Sequence, residues 1–254
     1  NKWKEKCHHC PLTRQYPASM GIDRSRQNYL GKKEAFTGIE DMTLLVPSYW
    51  LAERVKESFL KDYPVRVIYN GIDLDIYRPT PSDFRKKYHL ENKFVVLGVA
   101  NVWVERKGLS TFLALADRLG EEYKIVLVGL SEGQLASLPA NVLGLPRTDT
   151  PEKLAQIYTA ADVFVNPSRE ETFGLTVAEA MACGTWPIVY ADTACAEVVK
   201  KGAGTIVTGD LAEIEKVIRE CRKKGISGEM EEAVTFFSKQ RFGQEVLAVY
   251  EEKR

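Results

Sequence analysis

Short apolar runs alternate with amphipathic stretches from about residue 65 to residue 207, and this alternation predicts an α/β protein with a parallel sheet. Most of the runs are continuously hydrophobic, as is typical of strands that are buried on both faces. Each strand with its following helix takes roughly 20 to 30 residues, which indicates right-handed crossover units. We therefore expect the ligand site at the carboxyl ends of the strands.

The individual elements follow from two periodicities, continuous apolar runs for strands and apolar residues three and four apart for helices. Predicted strands cover residues 42–46, 65–69, 94–101, 124–129, 141–145, 163–166, 187–190 and 204–207. Predicted helices cover residues 50–60, 109–119, 154–161, 176–183 and 229–252. The first 36 residues are polar and turn-rich, and no helix or strand is predicted among them.

The charge balance excludes one class of function. Lysine plus arginine and aspartate plus glutamate number 35 each in 254 residues, so no global field would attract nucleic acid, and none is expected as a partner. No apolar run reaches about 18 residues, and the amino end lacks the apolar core of a signal peptide. These features predict a cytoplasmic protein. Because the chain does not begin with methionine, we expect a fragment or a processed chain.

Five cysteines, an odd number spread along the chain, argue against a disulfide framework. Cys7 and Cys10 stand apart because they have Cys-x-x-Cys spacing with two histidines between them. Such a pair can form half of a zinc site, but no further ligands are evident downstream. Two interpretations stay open: a structural metal or pairing with cysteines upstream of this chain, and reduced thiols without such a role.

Two carboxylates flank a turn that follows the strand predicted at residues 163–166. Glu171 and Glu179 stand eight residues apart, with the turn Phe173-Gly174-Leu175-Thr176 between them at the start of a predicted helix. The free backbone amides of that turn and the positive end of the helix would attract phosphate. Carboxylates instead accept hydrogen bonds from hydroxyl groups, and one carboxylate can hold a vicinal diol. A ligand with diols on both sides of a phosphate is a nucleotide sugar.

A second loop, after the strand predicted at residues 94–101, carries positive charge. Lys107 stands just before Gly108 and a predicted helix, where it can meet a diphosphate. No Asp-x-Asp pair appears in a suitable loop, so we expect neither a metal clamp nor any other cofactor. Lys107 and the helix amides would then supply the electrostatic stabilisation.

The Glu-x7-Glu run, with Phe-Gly-Leu inside it and Glu-Ala-Met-Ala-Cys-Gly after it, resembles the donor-site motif of retaining GT-B glycosyltransferases of the glycogen-synthase-like group. The sequences Val-Pro-Ser-Tyr-Trp-Leu at 46–51, Ile-Tyr-Asn-Gly-Ile-Asp at 68–73 and Glu-Arg-Lys-Gly at 105–108 fall in the family's order, so the resemblance covers nearly the whole chain. It implies transfer of a sugar, with retention, from a nucleoside diphosphate sugar to a glycan or lipid-linked acceptor. Synthesis of bacterial surface polysaccharide, with peripheral association at the inner face of the plasma membrane, is a further expectation.

The resemblance also implies roles for single residues. Glu171 would contact the donor sugar and act with Lys107 in catalysis, and Glu179 would bind the ribose hydroxyls. In the family an arginine on the basic loop joins the lysine, but the matching residue here is Asn101. Either Arg106 takes over, or Asn101 donates a neutral hydrogen bond. The departing diphosphate would accept the proton of the acceptor hydroxyl, so no general base is expected.

The same resemblance implies contacts with the donor from Phe173, Gly174, Leu175 and Thr176, and from Gly71, which would let the backbone approach it. It also implies two facing Rossmann-like domains. Residues 1–75 would be the last part of the acceptor-binding domain and residues 76–228 the donor domain, while residues 229–254 would form a helix that returns to the first domain. Most of the first domain would then be missing from this chain.

Other classes of function make different demands on the same residues. A nicotinamide-dependent Rossmann enzyme would need a Gly-x-Gly-x-x-Gly turn after the first strand, and residues 98–103 do not provide it. A glycoside hydrolase would use a carboxylate pair with shifted pKa values, whereas the loop around Lys107 requires an anionic ligand. A non-catalytic nucleotide-sugar-binding fragment and a GT-B enzyme of the epimerase type stay open.

Overall fold

The computed structural model describes residues 2–11, 21–199, 203–225 and 230–252. The chain divides into two compact units, Asn1–Ile68 and Tyr69–Arg254. The predicted domain scheme, with borders at residues 75 and 228, stays a prediction.

The first unit contains a two-stranded parallel sheet. Strand β1 (Leu44–Val46) pairs with β2 (Val65–Val67), and helix α2 (Tyr49–Lys56) connects them. The Ser48 hydroxyl caps this helix by accepting a hydrogen bond from the Leu51 backbone N–H at 3.1 Å. These elements match the strands and the helix predicted in this part of the sequence, although each is shorter than predicted.

The first unit also has a helix where none was predicted. Helix α1 (Ser25–Phe36) has no buried residue. An amphipathic stripe is the main sequence signal for a helix, and a helix that buries nothing has no such stripe. Within the described residues of this unit, a 3-10 turn at Lys2–Glu5 was also not predicted.

The second unit is built on a six-stranded sheet in which every pair of neighbours is parallel, with the order β5-β4-β3-β6-β7-β8. Its strands are β3 (Phe94–Val99), β4 (Tyr123–Val128), β5 (Val142–Leu145), β6 (Val163–Asn166), β7 (Trp186–Tyr190) and β8 (Thr205–Val207). All six were predicted, and their ends differ from the predicted ones by at most two residues. The predicted α/β class with a parallel sheet is thus confirmed.

Helices join the strands and cover the sheet. In chain order they are α3 (Phe84–Lys87), α4 (Leu109–Ala116), α5 (Glu132–Ala136), α6 (Pro151–Thr159), α7 (Leu175–Ala182), α8 (Cys195–Val198), α9 (Leu211–Lys224), α10 (Met230–Thr235) and α11 (Lys239–Glu251). No helix among the residues that the structure describes has both the length and the apolar composition of a membrane-spanning segment.

Both faces of the sheet are buried. Along β3, Val95 and Leu97 belong to one apolar cluster and Val96 belongs to the other, and each of these residues is at most 1% exposed. Successive side chains of a strand point to opposite faces, so both faces of this strand lie in a core. This explains why the strands are continuously hydrophobic in sequence.

The helix predicted at residues 229–252 is interrupted, which corrects the prediction of one long helix. Helix α10 ends at Thr235 and α11 begins at Lys239. Between them the Phe237 carbonyl accepts a hydrogen bond from the Ile72 N–H at 2.7 Å, and the Ser238 hydroxyl caps α11. The break therefore arises from a pairing with a distant part of the chain, which helical periodicity does not reveal.

Candidate active site

The strand order places two loops side by side at the carboxyl edge of the sheet. Strand β3 pairs with β4 on one side and with β6 on the other. The chain thus runs outward from β3 in both directions, and such a switch point opens a crevice at the carboxyl ends of the strands. The loop after β3 carries Lys107, and the loop after β6 carries Glu171.

The loop after β3 is anchored by a buried indole. Trp103 is 4% exposed, its Nε1–H donates to the Val128 carbonyl at 2.9 Å, and its ring contacts Phe112 edge to face. A 3-10 turn at Glu105–Lys107 follows, and it ends at Gly108 in the left-handed region (φ 78°). This anchor fixes the backbone from which the Lys107 side chain extends. Its signal in the sequence was the large tryptophan within the apolar run at residues 102–104 of this loop.

The two loops contact each other directly. The Arg169 N–H donates to the Arg106 carbonyl at 2.9 Å, and a Cβ at Gly108 would come within 2.6 Å of the Pro167 side chain. The Lys107 ammonium forms an ion pair with the Glu171 carboxylate. These two side chains are only 23% and 18% exposed. The structure thus brings together the two residues predicted to be catalytic.

The other basic-loop candidates lie at the surface. Asn101 and Arg106 are exposed, and within the described ranges neither side chain has a hydrogen bond or an ion pair. Their predicted contacts with a diphosphate stay predictions.

Buried packing contacts hold the turn after Glu171 in place. Phe173 is buried, and its ring packs against the rings of Tyr69 and Phe237 at centroid distances of 6.0 and 5.7 Å. Gly174 has φ 99°, and a Cβ there would meet the Cys195 Sγ at 2.6 Å. Only glycine fits this conformation and this space.

Helix α7 begins directly after this turn, at Leu175. Leu175 is 44% exposed and Thr176 is partly buried. The first amides of a helix have no intrahelical acceptor, so the positive end of α7 faces the same crevice edge. The predicted donor-binding turn from Phe173 to Thr176 therefore has the expected local structure, while its contact with a ligand stays a prediction.

Glu179, on the second turn of α7, is largely buried beside two tyrosines. The Tyr158 hydroxyl donates to Glu179 Oε2 at 3.0 Å. Burial raises the pKa of Glu179, while the hydrogen bonds from Tyr158 and Tyr77 act in the opposite direction. Burial, followed by the nearby Glu179 charge, also raises the pKa of Tyr158 and of Tyr77.

Tyr158 is a site residue that sequence reasoning missed. It was recognised only as part of the apolar face of a helix, because it is spaced at helical intervals from its apolar neighbours. A buried phenol usually finds a hydrogen-bond partner, and this rule was the available signal. The partner is Glu179, 21 residues away.

The packing of the fold explains why residue 71 is a glycine. A Cβ there would come within 2.6 Å of the Lys239 Cα and 2.8 Å of the Ser238 carbonyl oxygen, so the glycine permits the close approach of α11. Its predicted contact with the donor stays a prediction. Asp73, two residues later, forms an ion pair with Lys239 at 2.5 Å.

In the first unit, Cys7 and Cys10 are free thiols. The Cys10 N–H donates to the Asp23 carboxylate at 2.9 Å. Burial, with a smaller contribution from Cys10, raises the pKa of Cys7, which disfavours the reactive thiolate. In the part of the chain that the structure describes, no three His, Cys, Asp or Glu side chains gather as a metal site. Both interpretations of the pair stay open.

Sequence comparison identifies the family. Residues 81–233, more than half of the chain, match the family model described as Glycosyl transferases group 1. The chain is 25% identical over 202 residues to alpha-galactosylglucosyldiacylglycerol synthase of Streptococcus pneumoniae, covering 73% of this chain and 53% of that protein. It is 33% identical over 178 residues to D-inositol 3-phosphate glycosyltransferase 1 of Catenulispora acidiphila, covering 61% and 42%. The chain thus spans about half the length of the curated relatives it matches.

Solved structures show the same fold. Sucrose-phosphate synthase from Thermosynechococcus elongatus superposes with a TM-score of 0.78 at 23% identity, covering 96% of this chain and 66% of that chain. Anabaena HepE, solved with UDP and glucose, superposes with a TM-score of 0.74 at 21% identity, covering 89% and 66%. The chain therefore belongs to the family Glycosyl transferases group 1 and has the α/β architecture of GT-B glycosyltransferases.

Proposed function

We propose that this chain forms the donor site of a glycosyltransferase that transfers a sugar, with retention, from a nucleoside diphosphate sugar to a lipid-linked or glycan acceptor. One observation carries the proposal: Lys107 and Glu171 meet at the switch point of the sheet, and the buried carboxylate of Glu179 lies on the helix that begins beside them. One cation and two carboxylates at this edge of the sheet match a ligand with one diphosphate and two sugars.

The charges support this orientation of the donor. The Lys107 ammonium and the amides at the start of α7 favour the diphosphate. Glu179 is ionised at a cost, because burial raises its pKa. A ribose diol that donates two hydrogen bonds to this carboxylate would recover part of that cost, since charge-assisted hydrogen bonds are strong when they are shielded from water. Glu171 then faces the donor sugar on the other side of the diphosphate.

The relatives support the class of donor and of acceptor. Anabaena HepE is solved with UDP-glucose, which favours a nucleotide sugar for this chain as well. The relatives include a processive diacylglycerol alpha-glucosyltransferase of Acholeplasma laidlawii besides the diacylglycerol and inositol-phosphate enzymes above. We therefore favour a bacterial surface glycolipid or glycan as the product. Donor binding without a metal belongs to the same proposal, because Lys107 and the helix amides supply the positive charge.

The proposal is tested with a panel of UDP-, GDP- and ADP-sugars, using thermal stabilisation first and calorimetry for those that respond. We expect one sugar nucleotide to bind, and we expect Glu179→Ala to weaken both it and the free nucleoside diphosphate by roughly 10- to 150-fold, because the ribose is common to both. Glu170→Gln, a charge change on the exposed neighbour of Glu171, is the control. Binding of no sugar nucleotide, or binding that is the same in Glu179→Ala, would contradict the proposal.

Retention requires a separate measurement. Proton NMR of the product formed by the protein with its acceptor reports the configuration of the new glycosidic bond. An α-linked product from an α-linked sugar nucleotide is expected, and a β-linked product would contradict the retaining assignment.

A further inference from the structure

The Lys107–Glu171 ion pair has a consequence for ligand choice. A diphosphate that contacts the Lys107 ammonium must share it with the Glu171 carboxylate or displace that carboxylate from it. We infer, on the basis of the proposed function, that Glu171 is a specificity-determining residue that makes the site prefer the nucleotide sugar over the free diphosphate by competing for Lys107.

The competition is strong because the pair is held in place. Both side chains are less than a quarter exposed, so water and salt screen the attraction only in part. Backbone hydrogen bonds hold both partners. The Arg106 carbonyl, next to Lys107, accepts from the Arg169 N–H, and the Glu171 carbonyl accepts from the Ala194 N–H at 3.2 Å. The loops therefore hold the two backbones side by side, and separating the charges requires a change of side-chain rotamer.

Glu171 has one ion-pair partner among the described residues, and that partner is Lys107. The nearby thiol of Cys195 is neutral, since burial and then the Glu171 charge raise the pKa of Cys195 to about 12. A ligand that takes Lys107 thus leaves Glu171 as a poorly solvated carboxylate next to a diphosphate of the same sign, which is unfavourable.

A nucleotide sugar and a free nucleoside diphosphate differ in the contacts that they make with the Glu171 carboxylate. A nucleotide sugar brings hydroxyl groups that donate hydrogen bonds to Glu171 while its diphosphate takes Lys107, so the carboxylate exchanges one partner for another. A free nucleoside diphosphate brings additional negative charge and no donor on that side. Glu171 therefore favours the substrate and promotes release of the product nucleotide.

The test uses inorganic pyrophosphate, which carries the shared diphosphate chemistry and no base or sugar. Calorimetry of the wild-type protein and of Glu171→Gln should show about 10-fold tighter pyrophosphate binding in the variant, because one nearby negative charge is gone and Lys107 is released. Glu170→Gln removes the same charge from an exposed neighbour, and its pyrophosphate affinity should stay within about 2-fold of the wild type.

A double-mutant cycle separates competition for Lys107 from general repulsion. In a Lys107→Met background, Glu171→Gln should tighten pyrophosphate binding by a clearly smaller factor than in the wild type, because only the general repulsion is then relieved. If Glu171→Gln does not fold, as judged by circular dichroism, Glu171→Asp provides the second variant: its shorter side chain withdraws from Lys107 and should shift pyrophosphate affinity in the same direction by a smaller factor.

Unchanged or weaker pyrophosphate binding in Glu171→Gln would overturn the inference. So would an equal gain in Glu170→Gln, a gain of undiminished size in the Lys107→Met background, or pyrophosphate binding that is undetectable in both the wild type and Glu171→Gln. Failure of the proposed function would give a different result. No sugar nucleotide would bind, while Glu171→Gln would still tighten pyrophosphate binding through Lys107.

Discussion

The hydrogen bond between Tyr158 and Glu179 can be removed with little other change. Tyr158→Phe deletes one oxygen, while the ring keeps its edge-to-face contact with Phe164 at 5.7 Å. Tyr158 is fully buried, and its hydroxyl is 3.0 Å from Glu179 Oε2. The variant thus isolates the support that one phenol gives to a largely buried carboxylate.

The expected loss follows from the charge of the acceptor. A hydrogen bond to a charged group contributes about 1.5–3 kcal/mol to the free energy of unfolding, compared with about 1 kcal/mol for a neutral one. Burial already raises the folded-state pKa of Glu179 above its ordinary value of 4.5, and loss of the Tyr158 donor raises that pKa further. The charged form is therefore the one that Tyr158→Phe destabilises. The loss should be full at pH values above both folded-state pKa values and should shrink as the pH falls below them.

Urea unfolding, followed by circular dichroism across a pH series from about 4 to 8, measures this dependence. Tyr88→Phe is the matched control, because Tyr88 packs on Phe84 with a centroid distance of 4.8 Å and has no hydroxyl hydrogen bond among the described residues. We expect its effect to stay within about 0.5 kcal/mol. A Tyr158→Phe loss that is constant across the series, or no larger than that of the control, would refute the reasoning.

Three further predictions follow from the site. Glu179→Gln should raise the free energy of unfolding at neutral pH, because burial raises the folded-state pKa of Glu179 and its charged form is destabilising above that pKa. This gain should vanish as the pH falls below the ordinary value of 4.5, and urea curves that show a loss at neutral pH would contradict it. Gly174→Ala should lower stability by about 2 kcal/mol or more, since φ is 99° and the Cys195 Sγ lies 2.6 Å from the added Cβ. Gly133→Ala, in a helix with open space around it, should instead raise the melting temperature. Sugar-nucleotide binding should survive a chelator, and loss of binding with an unchanged circular dichroism spectrum would refute the metal-free donor site.

The sheet could be predicted from the sequence because its strands are buried on both faces. A strand such as β6 is apolar at nearly every position, and its predicted and observed bounds, Val163–Asn166, coincide. Helix α1 escaped prediction for the opposite reason, since none of its residues is buried. Burial does not explain every difference, because α9 was also not predicted although its Ile214 and Ile218 are fully buried.

The site could be predicted in outline but not in its contacts. The parallel sheet implied that the loops with Lys107 and Glu171 share one edge. Their ion pair, across 64 residues of sequence, depends on β3 and β6 being neighbours, and no local pattern specifies that pairing. The break between α10 and α11 escaped prediction for the same reason, because it depends on the bridge from Ile72 to Ser238.

The most direct test of the donor site is calorimetric titration of the responding sugar nucleotide into the wild-type protein, Lys107→Met and Glu170→Gln. The proposed site predicts binding that Lys107→Met weakens by at least about 10-fold, as loss of a charged contact requires, and that Glu170→Gln leaves nearly unchanged. Equal affinity of the wild type and Lys107→Met would contradict a diphosphate site at the switch point of the sheet.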